Sequence, residues 1–593
     1  MFEYRNKAQK AIKNKNYDTA IEYALKSNEA GKMWLEIGET DTKFIEYAIN
    51  CSDEDTLNFY LGYYLYPIQA TYSLIHEAYR GKADKERDNA HYENALENYK
   101  TAHKYLLANN VIMKKGKGEV FSWFLRRKSW SLNDIARCYQ KLQQYDTADS
   151  LYLKAIQHYR SIMEDEDNNL AKLYYNLASS FAESRDFEPS TKCYLYANSI
   201  FFKDTLDKES KEFLIDGLNA IAENYCKQDK PQDALPFLEQ AEKIIRKKGH
   251  GYFFNTFYKG ICAFKLNEYQ KADSILKICL EHCKKNETEK AVITVNAALA
   301  YVDMALAKYN EVRKYADESA EMAEKIYGKN SLQYTECLKI LASLNQITGD
   351  YSTADKQYKH VIEVYKREVN DDFKLAFLLS EYSRLELIFS NFESAKRHSD
   401  NFMSMIPDSM FILPSMTDFM NNAAYVNYCV GMYNQADTLY QKVVSINNES
   451  NLSFAPTSAA ALNGLGLIEI EKKNYKKADS LFAQAIIVYT KYLPYNHPLV
   501  ANVYLNWGLL QIKENKLNES EEKINKSFKI NKQFFDSDHD VFANILVAQG
   551  DIAKKRGQND AANANYQQAL SIYKKKFSNT HWKIMETERK MKK

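Results

Sequence analysis

The chain has 593 residues, 80 basic against 78 acidic, with 45 tyrosines but only 18 glycines and 9 prolines. Charges that nearly cancel exclude the broad basic footprint a nucleic-acid binder needs. No run approaches the roughly 18 apolar residues of a membrane-spanning helix, and so little glycine and proline suits helices joined by short turns.

One signature, aromatic-x-x-Ala, recurs along the chain. Its first residue, the anchor, is Tyr17, Tyr92, Tyr145, Phe187, Pro231, Tyr269, Tyr309, Tyr351, Phe392, Tyr433, Tyr475, Leu517 and Asn559. From Tyr145 onward the steps stay close to 42 residues, and a period this regular decides the architecture. Nine residues before each anchor stands a small residue, such as Ala136, Ala342, Gly466 and Gly508, and three after it another, such as Ala148, Ala354 and Ala478. Seven after it the column turns large, with Tyr152, Tyr358, Phe482 and Tyr566. Offsets of three and seven share a helical face. Small residues at fixed places let two helix backbones approach closely. Each unit is therefore predicted as a first helix, a tight turn (Gly349-Asp350 before Tyr351, Asn474 before Tyr475), and a second helix starting at the anchor.

In chain order, residues 1–108 form divergent repeat-like helices. The opening Met-Phe-Glu-Tyr-Arg-Asn-Lys lacks a signal peptide's apolar segment, and a cytoplasmic chain is expected. Met33 to Pro67 is expected to be a degenerate capping unit. Residues 109–129 are expected to be an irregular insertion. Its basic Lys114, Lys115, Lys117, Arg126 and Arg127 flank Trp123 and form a candidate loop contact for an acidic partner segment. Its glycines lack the P-loop pattern. Residues 130–578 are the regular array, with a lengthened connection over Met403 to Met416 and an exposed turn over Asn447 to Thr457. Residues 579–593 form a charged capping tail.

These columns resemble the tetratricopeptide repeat, and the stride resembles its longer variant, seen in kinesin light chains and many bacterial repeat proteins. Asn496-His497-Pro498 matches the His-Pro pair that opens the unit there, and His539 and His581 follow at 42-residue steps without the proline. Pro231, Leu517 and Asn559 depart from the aromatic anchor, and Val312 from the alanine column. The resemblance implies an all-α, right-handed solenoid of stacked antiparallel helix pairs, about 13–14 repeats, whose first helices line a concave groove.

Twelve and eight residues before the anchor, the groove-facing candidates are Asn133, Arg137, Tyr175, Asn219, Glu223, Phe257, Tyr301, Arg384, Asn421, Tyr425 and Asn463, with Phe254 beside them. An asparagine amide pairs with an extended backbone whatever its side chains, and an arginine engages carboxylates. The competing reading gives the asparagines to bonds between repeats and the phenylalanines to helix packing. No catalytic motif is present. Cys279 and Cys283 lie one turn apart, but His282 points elsewhere and a metal site needs three or four converging ligands. His497, His539 and His581 are expected to cap helices locally. No cofactor or metal is expected. The expected function is a non-catalytic scaffold holding a peptide or partner protein. The alternatives are a regulatory module for a separately encoded effector, or a subunit of a larger assembly.

Overall fold

The computed structural model describes residues 1–34, 66–113, 119–161, 166–204, 207–246, 248–286, 289–368, 372–407, 412–450 and 455–592. Every regular element among them is helical. The chain divides into two compact units, one of residues 1–228 with 236–251, the other of 229–235 with 252–593.

Each second helix begins on its anchor, from Tyr17–Trp34 and Tyr92–Met113 to Tyr475–Tyr492 and Asn559–Lys576. The turn is made the same way every time. The residue two before the anchor has a positive φ, from 55° at Lys15 and Ala307 to 85° at Gly349. That left-handed step costs an ordinary residue roughly 1–2 kcal/mol, which Gly349, Gly431 and Gly557 avoid.

The paired columns follow from packing within a unit. Ala148, Ala354, Ala436 and Ala478 are fully buried, as are Ala136, Ala342 and Ala424 nine before their anchors. A Cβ added to Gly466 would lie 2.6 Å from the Phe482 ring, and one added to Gly550 would lie 2.5 Å from Tyr566. The small residue of the first helix is thus the floor under the large residue of the second.

Two local expectations are revised. Within 109–129, helices Tyr92–Met113 and Glu119–Lys141 cover every described residue, so helix replaces the irregular insertion there. Lys114, Lys115 and Lys117 lie outside the described residues, as do Met33 to Pro67 for the most part. Asn447 is not in an exposed turn: it is buried in helix Tyr433–Glu449, donating 2.9 Å to Thr457 and 2.8 Å to Ser458. The tail forms helix Trp582–Lys592, which buries Ile584 and Thr587.

Within the second unit the array coils back on itself. The Ser415 amide donates to Asp229 at 2.6 Å, the Tyr351 hydroxyl to Asp540 at 2.6 Å. Phe535 stacks on Tyr309 and Phe577 on Tyr351, each with centroids 5.8 Å apart. The recurrent histidines lie in this seam. His539 and His581 accept from the amides of Val541 and Lys583 through Nδ1, which caps their helices. The opposite nitrogen, Nε2, donates to carbonyls one coil earlier, Ile347 at 3.0 Å and Ile388 at 2.9 Å. His497 caps Leu499 likewise and faces the Ala305 carbonyl without closing a hydrogen bond to it. Local capping is therefore half of their role.

Asp303 is a buried polar group at odds with its surroundings. Neither oxygen is hydrogen-bonded, and Lys308 lies 3.4 Å away while binding Asp273 at 2.6 Å. Burial, then the neighbouring Asp273, pushes the Asp303 carboxyl up to about 6. The folded chain thus keeps a proton that an unfolded aspartate, at about 4, has released. Stability from this group is full below pH ~4 and declines as pH rises through about 6. Asp303→Asn should remove that decline, a gain of at most roughly 3 kcal/mol at neutral pH. Thermal midpoints of both forms between pH 4 and 7.5 check it.

Candidate partner-binding groove

In the first helices the position eight before the anchor is turned about 100° away from the buried position nine before it, and it is exposed in several repeats. Arg137, Arg384, Tyr301 and Tyr425 are all exposed there. The column twelve before the anchor behaves differently. Asn133 is buried and accepts from Asn176 of the next repeat at 2.8 Å, and Asn463 accepts from Asn506 at 3.1 Å. Asn219 donates to the Gly251 carbonyl at 3.2 Å and Asn421 to the Thr457 carbonyl at 2.9 Å. Each asparagine thus spends at least one hydrogen bond tying its repeat to its successor. Asn421 keeps a buried amide oxygen without a partner.

Asn133, Arg137, Tyr175, Asn219 and Glu223 fall in the first unit, the remaining groove candidates in the second. Tyr175 packs edge-on against Tyr194 and Phe213, with centroids 5.1 and 5.2 Å away. Glu223 pairs with Lys227 at 2.7 Å. Phe254 is 51% exposed, while Phe257 is half-buried against Phe253. Of the loop candidates, Arg126 is exposed and Arg127 reaches Glu77 at 3.3 Å. The Trp123 side chain lies outside the described residues.

Along the second unit, the column gathers more charge than the sequence suggested. Lys339 stands twelve before Tyr351, in the asparagine column, with its side chain 14% exposed and paired to Glu336 at 3.2 Å. Burial opposes its charge, yet Tyr301, Glu381 and Glu336 around it raise the ammonium well above its ordinary range. Glu381 has one buried oxygen without a hydrogen bond, and burial raises its carboxyl against the pull of Lys339. Tyr365 donates to Glu336 at the edge of this group. One repeat on, the Arg384 guanidinium forms no ion pair with any described residue; its field reaches Asp418, Tyr425 and Tyr489. Lys339 and Glu381 were missed, though stepping the column by one period finds Lys339.

The arrangement offers hydroxyls, the Arg384 guanidinium without an ion pair among the described residues, and the half-satisfied Glu381 carboxylate, which suits polar recognition. Cys279 and Cys283 are buried, and His282 turns to Tyr252, ring centroids 4.8 Å apart. Among the described residues no three His, Cys, Asp or Glu side chains gather as metal ligands, and no helix is long and apolar enough to cross a membrane.

Comparison with protein families matches two tetratricopeptide-repeat models, one at residues 128–195, 291–367 and 499–575, the other at 458–499. No curated protein matches. Among solved structures, a chain of the APC/C hetero-tetramer Cut9–Hcn1 aligns with TM-score 0.52 at 12% identity, covering 99% of this chain and 96% of that one. A kinesin light chain from Podosopora anserina aligns at 15% identity with TM-score 0.30, over 34% of this chain and 96% of that one. The apo form of RapI aligns at 14% and 0.30, over 68% and 98%. At 12% identity, the likeness to the Cut9–Hcn1 chain is one of fold. With the anchor columns and the helix pairs they build in agreement with the matched models, residues 128–195, 291–367 and 458–575 are tetratricopeptide repeats, and the chain has the fold of that repeat.

Proposed function

We propose that the chain is a non-catalytic interaction scaffold, holding an extended segment of a partner protein along the first helices of its second unit. The observation that carries this reading is the column Tyr301, Arg384 and Tyr425, exposed in a rigid array while its neighbours Lys339 and Glu381 are only part-satisfied. A preformed surface of this kind binds with little ordering cost on its own side. Arg384 would take a carboxylate or backbone carbonyl of the partner, and the tyrosines supply flat amphipathic contact at low entropy cost. The described cysteines are all free, which supports work in the cytoplasm.

The test is capture on the intact chain. Partners retained by the wild type should be lost from the combined variant Tyr301→Ala, Arg384→Glu, Tyr425→Ala, whose exposed sites leave its thermal midpoint within a few degrees of wild type. A captured set that the combined variant retains in full defeats the proposal.

A further inference from the structure

The seam of the second unit is built from one recurring device. A ring or leucine stands four residues before a histidine that opens a helix: Leu493 and His497, Phe535 and His539, Phe577 and His581. Each aromatic ring stacks on its own histidine, at 4.3 Å for Phe535 and 4.2 Å for Phe577. The device then spans two successive repeats of the previous coil. Phe577 lies on Tyr351, whose ring meets Phe389 edge-on, while His581 donates to the Ile388 carbonyl one repeat along.

One repeat further, 41 residues on, the same seat recurs, and no described residue fills it. Phe392 takes the place of Tyr351, Val430 that of Phe389, and the Cys429 carbonyl that of Ile388. The turn amides of Val430, Gly431 and Met432 donate to Val426, Tyr428 and Asn427, so they bypass the Cys429 carbonyl. Ser390 and Asn391 bypass Ile388 in the same way, donating to Leu387 and Glu386. Among the described residues no ring covers Phe392. An open pocket of about 720 Å³ lies there instead, with Phe392, Lys396, Val430 and Met432 in its wall and Met432 43% exposed.

We propose that this pocket is a docking seat for a second polypeptide that presents an aromatic residue four before a histidine at the start of a helix. Its ring lies on Phe392 against Val430, and its imidazole Nε2–H donates to the Cys429 carbonyl. The argument is continuity: the pocket extends an interface the chain already makes with itself. The partner must match the chemistry of the occupied seats.

The probe is a labelled peptide of residues 574–592, which carries Phe577 and His581, titrated onto the intact chain. Saturable binding with a Kd below about 1 mM is expected. The Phe577→Ala or His581→Ala change in the peptide should weaken it at least about tenfold. So should Val430→Glu in the chain and, as a surface change that leaves the core untouched, Met432→Glu. A concentration-dependent dimer that Met432→Glu dissolves would name a second copy as the natural occupant and support the seat. Absence of saturable binding up to about 1 mM, or binding that neither chain variant reduces, overturns the proposal.

Discussion

Tyr351→Ala is expected to destabilise the second unit by about 3–5 kcal/mol, the range for truncating a buried ring. The ring is 5% exposed, stacked on Phe577 and edge-on to Phe389, so its loss opens a cavity between two coils. Its hydroxyl also donates to Asp540 at 2.6 Å. Burial drives that carboxyl up, but Lys583 at 2.9 Å, His539 and the Tyr351 hydroxyl together outweigh it and hold it below the ordinary range. Stability from Asp540 is therefore present above about pH 4 and lost as pH falls through its lower folded value. Tyr351→Phe isolates this part: the packing stays, and about 1.5–3 kcal/mol of a charged hydrogen bond goes. Urea unfolding followed by hydrogen exchange over residues 577–592 measures both. A Tyr351→Ala chain whose exchange there matches wild type would mean the seam does not depend on this ring.

The helix pairs were legible in the sequence because their cause is local. A small floor nine before the anchor recurs in every unit and a large residue seven after it in most, so a single period shows them. The seam was not legible, because it joins residues about 190 positions apart. The tyrosine anchors Tyr309 and Tyr351 do double duty, starting a helix and receiving a phenylalanine, and only the first duty leaves a mark at fixed spacing. The histidines carried the one available signal. Serine, threonine, aspartate and asparagine are the usual N-caps, and this chain uses Asp167, Asp207 and Ser331 at such positions. A histidine cap is unusual, and it is explained by its second nitrogen reaching the coil before it. For the groove, the column eight before the anchor came from the family resemblance, and Arg137, Tyr301, Arg384 and Tyr425 in it are exposed. The asparagine column did not separate tie from contact, since an amide suits both.

Gly466→Leu should break the array at one place. Glycine in a helix interior ordinarily costs about 1 kcal/mol relative to alanine, so a propensity argument predicts that any side chain would help. Packing predicts the reverse. The first side-chain atom would already stand 2.6 Å from one Phe482 ring atom and 2.9 Å from another, and Phe482 is wholly buried. Even Gly466→Ala should therefore cost about 1–3 kcal/mol, and leucine more. Repeats pack chiefly on their neighbours but are here joined across the seam as well, so the loss should be felt first between the flanking repeats. Urea unfolding should then move to a lower midpoint and lose cooperativity. Phe482→Leu shortens the ring that the new Cβ meets, so the pair Gly466→Ala with Phe482→Leu should be more stable than the sum of its single changes implies, by about 0.5–3 kcal/mol. Purely additive single changes would show that glycine stands there for backbone reasons, and the close approach of the two helices would lose its explanation.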